Sequence, residues 1–551
     1  MSTWILRRPA LPALAWLRQW QPRLATETAI LGAAVFFSLA GNGLFWRSAL
    51  ASHPGSARLA LALLLVLTGL HCLLLGLLAW RWNAKPVLAV LLVSTLFAAH
   101  YMDRYNIYLD ADMIRNLLAT DRKESRELLT ASLLLPLAQS LPPLLLLWRV
   151  RLHRHGLRRA LLRRGAFLLA SLATVAGGAM VAPQDLSALL RNQREVKYLA
   201  TPANLLVGLP RALRGDSPIR HAPKLPIGTD ARATARLPGS KPRLLVIVVG
   251  ETARAANWGL NGYARQTTPG LASAGVINFP DMHACGTATE VSLPCMFSPW
   301  GRHDYDQARI RGHQSLLHVL EHAGISTLWR DNQSGCKGVC EGLAIERLDN
   351  SARPGLCSGD RCFDGILLDG LPARVRTRPG DRVVVLHPLG NHGPSYYDRY
   401  PAAFRHFTPT CDTPELGRCS RQQIVNSYDN ALLYTDHVLA STIALLGRMD
   451  DYDTAMIYVS DHGESLGEKG LYLHGMPYAI APEQQTRVPM AMWFSSGFAA
   501  DRKLDLACVR ARAAAPADHD LLFSSVLGLM QVRTALYDPR RDLFASCATN
   551  S

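Results

Sequence analysis

Apolar residues are unevenly spread along the chain. Five stretches, at roughly 28–46, 59–80, 86–102, 128–148 and 165–182, are long enough, or nearly so, to cross about 30 Å of hydrocarbon as helices. Residues 183–240 are rich in Pro, Arg and Ala with weak periodicity, which predicts a linker with short helices over the membrane surface. From 241 onward strand and helix signals alternate, as in βαβ-built α/β domains. Three apolar strands stand out: RLLVIVVG (243–250), DRVVVLHPLG (381–390) and TAMIYVSDHGE (454–464). Near-continuous apolar strands mark a buried parallel sheet, whose ligands bind at the strands' carboxyl ends. The predicted organisation is an α-helical membrane domain over 1–182, a linker over 183–240 and an α/β domain over 241–551.

Charge sharpens this division. The 551 residues carry 59 Lys+Arg against 43 Asp+Glu, a net charge of +16, and 49% are apolar. Residues 1–240 hold 29 basic and 11 acidic side chains, while 241–551 hold 30 and 32. The basic excess thus lies in the half with the apolar runs, which fits membrane topology and argues against nucleic-acid binding. Arg7, Arg8, Arg18 and Arg23 precede the first span, Arg81 and Lys85 follow the second, and seven arginines fill 149–164. The alternate loops are lean (Arg47, Arg58) or balanced (103–127, five basic and six acidic). The N-terminus is therefore expected inside, and everything after about 183 outside. No cleavable signal peptide is expected, because the first apolar run is too long and no small-residue cleavage site is evident.

Cysteine usage agrees. Ten of eleven cysteines follow residue 241, and the exception, Cys72, lies in a span. Eight of the ten fall as close neighbours: Cys285 with Cys295, Cys336 with Cys340, Cys357 with Cys362, and Cys411 with Cys419. Cys508 and Cys547 are left over. An even count outside the cytoplasm reads as disulfides, whereas a zinc knuckle needs thiolates in a reducing setting. Proximity suggests the pairing of the neighbours.

The three strands deliver Glu251, Asn391-His392 and Asp461-His462 to one sheet edge. Taken singly each is an ordinary capping or hydrogen-bonding residue; converging from three strand ends, carboxylates and imidazole form a metal set suited to zinc. The segment CGTATEVSLPCMFS (285–298) places Thr289 where a helix starts. A hydroxyl there suits a phosphorylated nucleophile, although Thr287, Thr289 and Ser292 read equally as N-cap residues. In the membrane half, which composition alone reads as a plain anchor, the loop DADMIRNLLATDRKESRELL spaces Asn116, Thr120 and Glu124 at i, i+4, i+8, one polar helix face.

Six ordered segments, GETARAANWGLNGYARQTTPGL (250–271), CGTATEVSLPCMFS (285–298), DNQSGCKGVC (331–340), GNHGPSYYDRYP (390–401), FTPTCDTPELGRCS (407–420) and SDHGESLGEKGLYLHGMPYAIAP (460–482), carry a resemblance. Over nearly its whole length the chain resembles the phosphoethanolamine transferases that decorate lipid A, which include the mobilised colistin-resistance enzymes. These belong to the alkaline phosphatase/sulfatase-like superfamily. The resemblance implies five transmembrane helices in a bacterial inner membrane and a periplasmic catalytic α/β domain. It implies a catalytic Zn²⁺ held by Glu251, Thr289, Asp461 and His462, with Thr289 as nucleophile. Lys337, His392 and His474 are then expected on the transferred phosphate, the histidines holding a second zinc or protonating a leaving group. Asn116, Thr120 and Glu124 are expected to contact the ethanolamine-bearing lipid. The implied reaction is ping-pong: phosphatidylethanolamine gives its phosphoethanolamine to Thr289, and a phosphate of lipid A, or a core sugar of lipopolysaccharide, takes it. The outcome is resistance to cationic peptides such as polymyxin, and a monomer is expected. A phosphoglycerol transferase of the same superfamily is the nearest alternative. A tethered sulfatase lacks its C/S-x-P-x-R context here, and a dead scaffold has no need of Glu251, Thr289, Asp461 and His462 together.

Overall fold

A computed structural model of the chain describes residues 21–51, 55–120, 122–153, 155–214, 223–236, 239–348, 353–358 and 361–548, with side chains undescribed at 122–124 and 214. Contacts group Met1–Arg104 with Ala131–Val207 in one unit, and Tyr105–Thr130 with Gly208–Ser551 in another. The helices in chain order are α1 (Thr26–Ala40), α2 (Gly43–Leu50), α3 (Ala57–Leu78), α4 (Ala84–Tyr105), α5 (Ala111–Ala119), α6 (Arg122–Leu128), α7 (Leu134–Arg149), α8 (Leu157–Val181), α9 (Pro183–Asn192) and α10 (Ala203–Arg214).

In the first unit, four described helices are long and apolar enough to span a membrane: α3, α4, α8 and the stretch Ala131–Arg149 that includes α7. The pair α1–α2, bent by 60°, makes a fifth if counted as one span. The bend has a chemical cause. Asn42 Nδ2 donates to the carbonyls of Phe37 (2.7 Å) and Thr201 (2.8 Å), and its Oδ1 accepts from Thr201 N, so the backbone groups freed by the break are satisfied. Gly178 lets α8 approach α3: a Cβ there would lie 2.8 Å from that of Leu65.

One expectation is corrected. The last span starts at Leu157 rather than 165, so Arg158, Arg159, Arg163 and Arg164 are helical instead of lying in a loop. Arginine is a good helix former, and its stem lies comfortably along apolar surface. Arg164 is buried, donating to the Gly76 carbonyl (2.8 Å) and facing Glu27 at 3.4 Å. Arg7, Arg8, Arg18 and Arg154 lie outside the described residues.

The second unit is built on eight strands: β1 (Arg243–Gly250), β2 (Ile277–His283), β3 (Ser326–Asp331), β4 (Ile345–Arg347), β5 (Arg382–His387), β6 (Asp453–Ser460), β7 (Arg487–Phe494) and β8 (Ala517–Asp518), ordered β8-β2-β7-β6-β1-β5-β3-β4. β6, β1, β5, β3 and β4 are parallel neighbours, and β7 alone runs against the rest. Every residue of β1 and β5 is buried, as expected of strands covered on both faces. Two further helices position the site, α11 (Thr289–Met296) and α12 (Arg421–Leu446).

All five cysteine pairs of this unit are disulfides. Cys285 is bonded to Cys295, Cys336 to Cys340, Cys357 to Cys362, and Cys411 to Cys419, the neighbours that the sequence sets together. The two cysteines left over, Cys508 and Cys547, are bonded to each other. Cys72 is a buried free thiol, so no zinc knuckle forms from these residues.

The single polar face expected over Asn116, Thr120 and Glu124 does not form on one helix. α5 ends at Ala119, and Thr120 is extended (φ −60°, ψ 129°) before α6 begins. Thr120 Oγ1 donates to the Asn116 carbonyl at 2.9 Å, the local side-chain bond by which threonine competes with helix continuation.

Candidate active site

Adjacent parallel strands β1 and β6 end in register, Gly250 opposite Ser460, so Glu251 and Asp461-His462 emerge side by side. Their ligand atoms lie within 4.8 Å of one another, and all three residues are buried. Thr289 opens α11 behind the N-cap residue Ala288. Its Oγ1 donates to Glu251 Oε2 at 2.9 Å and stands 3.2 Å from His462 Nε2. The hydroxyls of Thr287, Thr289 and Ser292 do not cap α11. Thr287 Oγ1 instead donates to the Met476 carbonyl and Ser292 Oγ to that of Asp461.

The backbone is strained where the groups converge. Thr252, a β-branched residue, has φ +57°, a conformation that persists only when its surroundings enforce it. Thr252 Oγ1 donates to Glu251 Oε1 (2.9 Å), and the Thr252 amide reaches Asp461 Oδ1 (3.3 Å). His462 Nδ1 is held by the Gly463 carbonyl at 2.9 Å, which leaves Nε2 to face Thr289 and the carboxylates.

This donor set fits a cation. Burial penalises the charge on each group, yet Asp461 and Glu251 together hold His462 well above the ordinary imidazole range. Glu251 is held below the carboxylate range despite burial, by its hydrogen bond to His462 and the charges of His462, His392 and His474. Burial and the charge on Glu251 push Asp461 up. Asp461 Oδ2 is buried with no hydrogen-bond partner, an acceptor aimed into the centre. Two carboxylates this close need a positive group between them, and a protonated His462 is what the protein alone can supply. A divalent ion would take that proton's place. A second cluster, Cys285, Cys295 and Asp520, is spent, since the two sulfurs form a disulfide.

The remaining sequence-derived residues stand around this centre. The His474 ring lies 4.4 Å from that of His462 and 5.5 Å from that of His392. Glu464 Oε2 fixes His474 Nδ1 at 2.9 Å. Lys337, at φ +49°, donates to Ser334 Oγ (2.7 Å) and lies 3.8 Å from Glu290, the neighbour of Thr289. The bond between Cys336 and Cys340 closes the short loop that carries Lys337. The Glu124 side chain lies outside the described residues. Sequence reasoning missed Gln333, whose Nε2 donates to Glu251 Oε2 at 2.9 Å, and the orienting roles of Thr252 and Glu464. Gln333 follows the carboxyl end of β3, so the rule that singled out the other strands would have found it.

Against known proteins, the sulfatase family model matches residues 243–532, and a model described as phosphoethanolamine transferase EptA/EptB matches 66–216. The phosphoethanolamine transferase EptA of Escherichia coli strain K12 is 36% identical over 552 residues, covering 98% of both chains. This chain belongs to the phosphoethanolamine transferase family. The phosphatidylethanolamine transferase Mcr-1 of Escherichia coli is 36% identical over 479 residues, 84% of this chain and 88% of that one. The integral membrane lipooligosaccharide phosphoethanolamine transferase A of Neisseria meningitidis superposes with a TM-score of 0.91, at 36% identity, over 96% of this chain and 100% of that one. Phosphoethanolamine transferase architecture therefore extends over both units, and the apolar helices are as much a part of it as the sulfatase-like domain.

Proposed function

We propose that this transferase moves phosphoethanolamine from phosphatidylethanolamine to a phosphate of lipid A in two displacements at Thr289, with Zn²⁺ held by Glu251, Asp461, His462 and Thr289. The observation that carries the reading is the Thr289 hydroxyl, buried at the start of α11, 2.9 Å from Glu251 and 3.2 Å from His462. Bound there, zinc supplies Lewis-acid charge that lowers the pKa of a hydroxyl and offsets charge on a transferring phosphoryl group. His462 helps to orient Oγ1, and Glu251, whose Oε2 accepts the Thr289 hydroxyl hydrogen bond at 2.9 Å, takes its proton. Oγ1 then attacks the donor's phosphorus; the bond to the glycerol oxygen breaks and diacylglycerol leaves with a proton. His474, pinned at Nδ1 by Glu464, keeps Nε2 for that delivery. In the second displacement an oxygen of a lipid A phosphate attacks the same phosphorus and Thr289 Oγ1 leaves. Lys337 and His392 hold the phosphate oxygens throughout.

Both substrates are lipids, which gives the spans a purpose beyond anchoring. A cavity of about 270 Å³ opens beside Thr287 and Ala288 at the start of α11, with Asp110 and Met113 of the 105–130 segment on its wall, room for a lipid head group. The bias of arginines supports an inner-membrane location with the α/β domain in the periplasm. All the groups invoked belong to one chain, so a monomer suffices. The added ammonium lowers the negative charge of the outer surface and so weakens binding of cationic peptides.

The test is peptide mass spectrometry after incubation with phosphatidylethanolamine and no acceptor. A phosphoethanolamine adduct on the Thr289 peptide, absent in Thr289→Ala, is expected. Release of diacylglycerol with an unmodified peptide in rapidly quenched samples would replace the two-step route with direct transfer.

A further inference from the structure

Glu127 lies on α6 in the 105–130 segment, and its carboxylate is buried, only 7% exposed. Both of its oxygens accept from Arg399 Nη2, at 2.9 and 2.7 Å, and Arg361 Nη2 lies 2.8 Å from Oε1. The Arg399 side chain is 1% exposed, and its Nε donates to the carbonyl of His392 at 2.7 Å. The turn holding His392 is pinned from its other end: Asn391 N donates to the Glu251 carbonyl, and Leu389 N and Gly390 N to Asp364. A continuous chain of bonds thus runs from a helix with no part in the sheet to the backbone of a histidine beside the centre.

A guanidinium this deeply buried is costly without its counter-charge. Were Glu127 neutral, Arg399 would be drawn toward water or toward other acceptors, and its hold on the His392 carbonyl would slacken. The carboxyl of Glu127 is held below the usual carboxylate range, burial being outweighed by Arg399 and Arg361, so the pair is ionised at neutral pH.

We infer that Glu127 and Arg399 are positioning residues, an ion pair through which the 105–130 segment sets His392 over the transferred phosphate. The inference rests on the role given to His392 above. Docking of the segment and completion of the site are then one event. An ion pair that merely holds α6 in place predicts lost stability; a positioning pair predicts lost turnover that vanishes once His392 is gone.

The experiment uses the full-length protein in lipid nanodiscs, with transfer followed in single turnover so that slow variants remain measurable. Glu127→Gln is expected to slow transfer by about 10- to 100-fold, the usual cost of removing a group that orients a functional one, with KM for phosphatidylethanolamine changed by less than about threefold. Arg399→Lys keeps the charge opposite Glu127 but loses the Nε donor. It is expected to be slowed comparably with a thermal midpoint within about 2 °C of the parent, a shift smaller than a 1 kcal/mol change gives, and it serves if Glu127→Gln does not fold. Adding Glu127→Gln to His392→Ala is expected to cost less than about twofold, because coupled groups are not additive. An equal cost of Glu127→Gln in both backgrounds, or parental rates in Arg399→Lys, would overturn the inference. Parental rates in His392→Ala would instead overturn the role of His392 itself, and the inference with it.

Discussion

The centre and the 105–130 segment belong to one packed unit but are built differently. Glu251, Asp461 and His462 sit at the ends of adjacent, largely buried strands, and are oriented by hydrogen bonds with Thr252, Gln333 and the Gly463 carbonyl. The segment is two short helices with exposed Leu117 and Leu118, the first capped internally by Asp110 on Met113 N (2.8 Å), and fastened to the rest of the unit through Asn106 Nδ2 to the Gly470 carbonyl (2.6 Å) and Glu127 on Arg399. Groups that must hold charge in fixed geometry are carried by the sheet, where packing sets position to fractions of an ångström. The 105–130 segment is instead an attachment of short helices, where a few side-chain bonds and not sheet packing set position.

The largest expected effect lies at the centre. Thr289→Ala is expected to cut transfer by about 1,000-fold or more, as loss of a covalent nucleophile does, while hydrogen-exchange protection in β1 and β6 stays as it was. A loss below about tenfold would remove Thr289 from the chemistry. Next is removal of the metal. Chelation is expected to abolish transfer and to destabilise the α/β domain by about 4 kcal/mol when free zinc had stood at 1,000 times its Kd. Since His462, held above the ordinary imidazole range, must give up its proton to bind metal, affinity should rise with pH. Titration calorimetry in two buffers of different ionisation enthalpy reads the released proton, and zinc affinity independent of pH would contradict the arrangement.

These contrasts parallel what the sequence made legible. β1, β5 and β6 were readable because strands buried on both faces are almost uninterrupted apolar runs, so the first acid or imidazole after each run stands out. The antiparallel β7, with its bulge between Val488 and Met490, and the two-residue β8 carry no such signal. Four disulfides were visible because Cys295, Cys340, Cys362 and Cys419 each follow their partners by ten residues or fewer, whereas Cys508 and Cys547 are 39 residues apart. The pairing of Glu127 with Arg399, 272 residues away, depends on tertiary packing that no local pattern encodes. The break at Thr120 was missed for a related reason: period-3.6 spacing predicts a shared face only if the helix continues.

The smallest expected effect concerns Asp110, which caps α5 and separates the two regions by pH. Its carboxyl is pushed up to about 6, first by burial and then by the neighbouring charge of Asp112, against the hydrogen bonds from the Met113 and Asp112 amides and the charge of Arg115. A carboxyl whose value is higher when buried favours the docked segment fully below its unfolded value near 4, and that contribution declines as pH rises through about 6. A shift of roughly two units bounds the effect at about 3 kcal/mol. Hydrogen exchange corrected for intrinsic rates should therefore show α5 amides better protected at pH 5 than at pH 7.5, with β1 and β6 unchanged. Asp110→Asn keeps an oxygen for the cap and removes the charge, since asparagine caps as well as aspartate. It should raise protection of α5 at pH 7.5 to the pH 5 level and abolish the dependence. Equal protection of α5 in the parent at both pH values would mean that Asp110 is solvated as the segment breathes, and that the segment is held by Asn106 and Glu127 alone among the fastenings described.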